Sequence, residues 1–138
     1  MLDPQRFLDA QGPVLDTVRA ELAAGRKRSH WMWFVFPQLR CLGRSPTALH
    51  YGLEDLDAAR AYLDHPVLGA RLVEHTGLVA GHPDRTVSGI FGSPDDLKFR
   101  SCMTLFAGAA PPAVTVFRDT LQQRFGGAGD PLTLRAIG

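Results

Sequence analysis

Gly25-Arg26-Lys27-Arg28-Ser29-His30-Trp31-Met32-Trp33-Phe34-Val35-Phe36-Pro37-Gln38-Leu39-Arg40 holds both tryptophans of the 138-residue chain, beside three consecutive cations and a histidine. Burying so much aromatic surface next to Ser29, His30 and Gln38 forces those polar groups to find partners, so the segment is either the middle of a core or the wall of a pocket. The run from 30 to 36 has no polar face to read, and by itself it suits a buried strand as well as a buried helix. Pro37 ends it in either case, because it has no N–H and its ring blocks a continuing turn. The fold class therefore turns on what flanks it.

Both flanks are helical in pattern. Asp3 is placed to cap a first helix with Pro4 in its opening turn, and Gly12-Pro13 bends or restarts the chain. Val14, Leu15, Val18 and Leu22 recur at spacings of three and four, and Gly25 follows as a left-handed stop, which predicts a helix over 13–24. Downstream, Gly43 and Pro46 mark a turn before a short helical turn at 48–51. Leu56, Ala59, Tyr62 and Leu63 make a stripe after Asp55. His65-Pro66 opens a helix carrying Val67, Leu68, Leu72 and Val73 on one face, closed by Gly81-His82-Pro83. Ser93-Pro94-Asp95-Asp96 reads as a helix start with Ser93 as the cap and Asp96 reaching back to it, and that helix is expected to run to about Ala107. Val114, Phe117, Leu121 and Phe125 predict another, ended by Gly126-Gly127. The tail is expected to pack through Leu132, Leu134 and Ile137. With no strand alternation, repeat or linker, the reading is an all-α fold: one compact globular domain over residues 1–138, built of six to seven short helices.

A chain of this length buries a sizeable core without a disulfide or metal staple. Hydrophobic residues make up 45% and charged residues 21%, so the whole chain is expected to fold. A net charge of +1 argues against general nucleic-acid binding, although Arg26, Lys27 and Arg28 form one local basic patch. Cys41 and Cys102 lack any framework spacing and read as free thiols of a reducing compartment. No apolar stretch approaches the roughly 18 residues a membrane span needs, and no leader pattern opens the chain, which points to a cytoplasmic protein without a membrane partner.

Three constellations could carry chemistry. The first is Lys27, Ser29, His30 and Gln38 around the tryptophans, where a histidine can move a proton and an indole can stack a ring. Against it, His30 reads equally as a packing residue, and the basic triplet as a complement to the negative end of helix 13–24. The second is Asp95, Asp96, Lys98, Ser101 and Thr104: on a helix Lys98 and Ser101 share a face with Cys102, and a lysine there can hook an anion. Acids in a first helical turn are also favoured by the dipole alone. The third comprises Arg40, Arg44, Ser45, His50 and Tyr51, with His65 and Arg71 further on; Gly43-Arg44-Ser45 is a weak phosphate signal without a Walker or dinucleotide fingerprint. No histidine pair has metal-ligand spacing, so no metal and no cofactor is expected.

Arg26 to Leu39, Leu42-Gly43-Arg44-Ser45, Ala61-Tyr62-Leu63-Asp64-His65-Pro66-Val67-Leu68-Gly69, Ile90 to Phe106 and the closing Phe125-Gly126-Gly127…Asp130-Pro131-Leu132 strongly resemble the bacterial family catalogued as domain of unknown function 1810, often labelled calpastatin. The resemblance covers nearly the whole chain and implies a mainly helical single domain with no established activity. Calpastatin-type inhibitors are disordered, whereas two Trp, eight Phe and this hydrophobic content describe a folded globule. Cys41 stands where the family pattern has glycine. The shared positions include many polar residues that packing alone does not require, among them Lys27, Ser29, His30, Gln38, Tyr51, His65, Asp95, Lys98 and Ser101.

Those residues lead to a single cleft between the aromatic segment and the 94–107 helix, binding a small polar, nucleotide-like or sugar-phosphate-like ligand. As an enzyme it would be a hydrolase, in the N-glycosidase class, with His30 or Asp95 as acid/base, Lys98 holding a phosphate or carboxylate, and Trp31 or Trp33 stacking the ring. The Lys98-Phe99 run after an acid is faintly similar to the helical NADAR-type N-glycosidases. The other reading is a non-catalytic protein-interaction module whose polar groups form a structural network. Alanine at Asp95 or Lys98 is expected to abolish binding with little loss of stability.

Overall fold

The computed structural model describes residues 1–138 as ten α-helices with no strand. They are α1 (Pro4–Gln11), α2 (Leu15–Ala23), α3 (Met32–Val35), α4 (Pro46–Tyr51), α5 (Leu56–Asp64), α6 (Leu68–Ala80), α7 (Val87–Phe91), α8 (Asp95–Ala109), α9 (Val116–Phe125) and α10 (Pro131–Ile137). The all-α expectation holds. The extra elements are single turns such as α3 and α7, too short to show a period in the sequence.

Helix α8 is the centre of the molecule. Its Phe99, Cys102, Met103, Leu105 and Phe106 are fully buried, and α5, α7, α9 and α10 all pack on it. The aromatic segment resolves as neither a strand nor a long helix: α3 is four residues, and Pro37 sends the chain into a bridge pairing Leu39 with Leu53. Phe36 meets Phe99 of α8 at 5.1 Å and Phe91 of α7 at 5.7 Å, both edge to face, and Phe91 stacks on Phe99 at 4.7 Å. Such aromatic pairs add to the simple gain from area burial. The segment is therefore core for half its residues.

Local signals place most boundaries. Asp3, Ser45, Asp55, Thr86 and Asp130 each accept a backbone N–H in the first turn of a helix. Gly25, at φ +73°, ends the α2 region as expected. Gly69 lets α6 pass α5, since a Cβ there would lie 2.0 Å from the Leu63 carbonyl oxygen. Two expectations are corrected. Ser93 does not cap α8: the helix begins at Asp95, its N-cap is Pro94 without a side-chain bond, and Asp96 turns its own Oδ1 to the Leu97 N–H at 2.9 Å. The tail packs through Thr133 and Ile137, whereas Leu132 and Leu134 are 58% and 50% exposed, because the Asp130 cap turns Thr133 inward.

Gln11 and His75 are among the polar side chains buried in the core. Gln11 donates to the Phe34 carbonyl at 2.7 Å and to the Tyr62 hydroxyl at 3.0 Å, and accepts from Arg71 at 3.2 Å. Burial pushes the Tyr62 hydroxyl far above its ordinary pKa. His75 is buried beside Phe36, its Nε2 without a hydrogen bond, and burial lowers its pKa to about 4, with Arg19 and Arg71 adding to the shift and Glu74 opposing it. A histidine depressed in the folded state is protonated first in the unfolded chain, so its contribution is whole above the ordinary 6.5 and declines as pH falls toward 4. Stability is expected to fall by about 3 kcal/mol across that window in urea titrations, and His75→Leu to flatten the slope there. An unchanged slope in the variant would remove His75 from the account.

Candidate ligand-binding groove

Asp95 opens α8, where the helix dipole favours a carboxylate. Two lysines converge on it: Lys27 Nζ at 2.9 Å from Oδ2 and Lys98 Nζ at 3.7 Å from Oδ1. Lys27 is brought there by its own backbone, which donates to the Ile90 carbonyl at 2.7 Å. Its side chain is 7% exposed, with the ammonium 5.1 Å from the centre of the Trp31 ring. Lys98 is more open, and its ammonium stands 5.3 Å from the centre of the Trp33 ring. The pair of lysines is thus asymmetric: Lys27 closes the back of Asp95 and Lys98 faces outward.

Lys98 and Gln38 line three adjoining depressions. The widest, about 580 Å³, runs between the 38–44 loop, the start of α8 and the start of α10, and includes Arg44, Ser101 and Asp130. A shallower one of about 280 Å³ continues along Gly43, Arg44 and Ser45 to Ala48. At the inner end, Met32, Trp33, Phe36, Tyr51 and Gly52 enclose a pit with about 10 Å³ of free space, room for one water. Arg44 is exposed and makes no ion pair, so a guanidinium and an ammonium line one groove with Leu42, Leu97 and the Asp130 carboxylate, while the Trp33 indole lines only the pit at its inner end. Chemically this suits an anion attached to a partly apolar body.

The α10 wall is hung on α8. Thr104 Oγ1 accepts the Asp130 N–H at 2.8 Å and donates to the Arg100 carbonyl, while Arg100 donates to the Ala128 and Gly129 carbonyls at 3.0 and 3.2 Å. Asp130 Oδ2 accepts from Thr133. Asp130, Leu42 and Leu97 were not expected at a site; for Asp130 the only sequence signal, an acid before proline, reads as a helix cap.

Several expected site residues lie elsewhere or are already engaged. His30 is exposed and lines none of the three depressions, because Trp31 next to it is drawn into the core and the backbone turns His30 outward. Trp31 is 1% exposed and cannot stack a ligand. Ser29 donates to Glu21 at 2.6 Å, Ser45 accepts the Ala48 N–H, and His65 Nδ1 accepts the N–H groups of Val67 and Leu68 at the start of α6. Ser101 lines the wide groove, but its hydroxyl donates to the Leu97 carbonyl. Trp33, Gln38, Arg44, Tyr51, Asp95 and Lys98 remain grouped.

Glu21 explains why the front of the aromatic segment is structural. Its carboxylate accepts from the N–H groups of Arg28 and Ser29, the Ser29 hydroxyl and the Trp31 indole, all within 3.0 Å. Burial would raise its pKa; those four donors outweigh burial and hold it at about 2.

A family described as "Protein of unknown function (DUF1810)" matches residues 1–137. The chain belongs to this family. A crystal structure of the conserved hypothetical protein Rv1873 from Mycobacterium tuberculosis is 52% identical to it, with a TM-score of 0.94 over 98% of each chain. No curated protein matches significantly. The DUF1810 fold is thus mainly helical and built as one compact domain, as the resemblance implied. No helix is long and apolar enough to cross a membrane.

Proposed function

We propose that this DUF1810 chain binds a small anionic metabolite of the nucleotide or sugar-phosphate type in the groove shared by Gln38 and Lys98. The observation that carries the reading is Lys98 itself: its ammonium is held by Asp95 and Trp33, opens to the groove, and shares the groove lining with the unpaired Arg44. A phosphate would sit between Lys98 and Arg44, with the body of the ligand against Leu42 and Leu97 and the Gln38 amide reading its polar edge. Asp95 acts as a positioning residue, since both its oxygens face lysines. Should the ligand be cleaved, the reaction class is hydrolysis of an N-glycosidic bond, water adding its hydroxyl to the sugar carbon and its proton to the departing base. The carboxylate beside such a water would be Asp130, whose Oδ1 carries no hydrogen bond.

A thermal-shift panel of nucleotides and sugar phosphates tests this. A ligand at about 100 times its Kd stabilises by roughly 2.7 kcal/mol. Lys98→Ala, at a partly exposed position, is expected to keep its own melting temperature within about 2 °C of the parent and to lose the ligand shift. A shift that survives in Lys98→Ala would place the ligand elsewhere. The second reading, a protein-interaction module, is favoured by one observation: Ser29, Ser45, His65 and Thr104 all serve the fold as caps or tethers. It gains if the whole panel is silent.

A further inference from the structure

A separate depression of about 390 Å³ is lined by Arg26, Arg28 and Arg85 with Glu21, Ala20 and Ala24, and shares no residue with the Lys98 groove. All three arginines are exposed, and none makes an ion pair. Cations just after α2 complement its negative pole. That accounts for Arg26 and Arg28 but not for Arg85, which arrives from the turn between α6 and α7.

Arg85 reaches the depression by crossing Gly25. A Cβ on Gly25 would lie 2.8 Å from Arg85 Cδ and 2.9 Å from its Nε, so the absent side chain leaves the path open. The backbones carrying the arginines are pinned. Arg26 N–H donates to the Glu21 carbonyl at 3.0 Å and Arg28 N–H to Glu21 Oε1 at 2.8 Å. On the other side Arg124 donates to the carbonyls of Val79, His82 and Arg85. Glu21, the one acid in the lining, is already occupied by four donors, and the depression keeps a surplus of two positive charges. Like charges held together repel, and guanidinium groups pair in bidentate fashion with phosphate oxygens.

We propose that Arg26, Arg28 and Arg85 form a second binding site, for a linear oligophosphate group of two or more adjacent phosphates. Three bidentate pairings call for more acceptor oxygens than the three or four of one phosphate; a chain of adjacent phosphates supplies them. The near-neutral chain offers no extended basic surface for a nucleic-acid backbone, which favours a free oligophosphate.

Titration calorimetry with tripolyphosphate tests the site. The Arg85-dependent binding is expected in the parent and is expected to persist in Lys98→Ala. Arg85→Gln is expected to weaken it about tenfold or more, the loss of one charge-assisted pair, with an unchanged circular dichroism spectrum. Sulfate at matched ionic strength is expected to bind more weakly than tripolyphosphate. Equal affinity in Arg85→Gln, loss of binding in Lys98→Ala, or tighter binding of a single-stranded oligonucleotide than of tripolyphosphate would each overturn the proposal.

Discussion

Asp95→Ala lowers stability by about 3 kcal/mol or more, because it strands the ammonium of Lys27, 7% exposed, without its partner. The sequence-based expectation treated Asp95 and Lys98 alike, as surface groups removable at little cost. Their surroundings separate them. Lys98 can turn to water when Asp95 is lost, whereas Lys27 lies over the Trp31 ring and its backbone is tied to Ile90. Urea unfolding at neutral pH measures the difference. A loss under about 1 kcal/mol, the range of an exposed pair, would show that Lys27 finds water after all. The double variant Lys27→Met with Asp95→Leu is expected to recover most of the stability, since apolar residues of similar size remove both charges together.

Glu21→Ala is expected to cost about 3 kcal/mol at pH 7, and Glu21→Gln somewhat less. The carboxylate organises the turn from α2 into the aromatic segment, and without it the Trp31 indole N–H and two backbone N–H groups lose a charged acceptor. The pH dependence separates charge from contact. Glu21 sits at about 2 in the folded chain against an ordinary 4.5, so its contribution is complete above 4.5 and is lost as pH falls from 4.5 toward 2. Parent and Glu21→Gln stabilities should therefore converge on acidification through that window. Parallel curves would mean that the carboxylate charge is not what the donors recognise.

How far the sequence could be read follows from the range of the forces involved. Capping, glycine stops and three-four spacing act within one or two turns, and they located α1, α2, α5, α6, α8 and α9. The aromatic segment stays ambiguous in the sequence because a run without a polar face carries no period, and the burial of its Phe36 depends on Phe91 and Phe99, some sixty residues away. The same limit governed the site. Gln38, Arg44 and Lys98, legible as polar candidates, line one groove, and Asp95 joins them only through its ion pair with Lys98, while His30, a candidate for its chemistry alone, faces solvent. Ser45 and His65 look like ligands until the free N–H groups of the adjoining helix are counted. Glu21 and Asp130 went unnamed since nothing local marks an acid that will gather donors or border a groove from another part of the chain.

The groove takes its walls from residues 38–44, 94–101 and 130–132, with the last held to α8 by Thr104 and Arg100. No continuous peptide contains it. Chain closure across those separations is complete only when the whole domain has folded, so the groove appears and vanishes with the cooperative transition and not before it. An occupant would in turn brace all three segments at once, making metabolite supply a determinant of how long each copy survives against proteolysis.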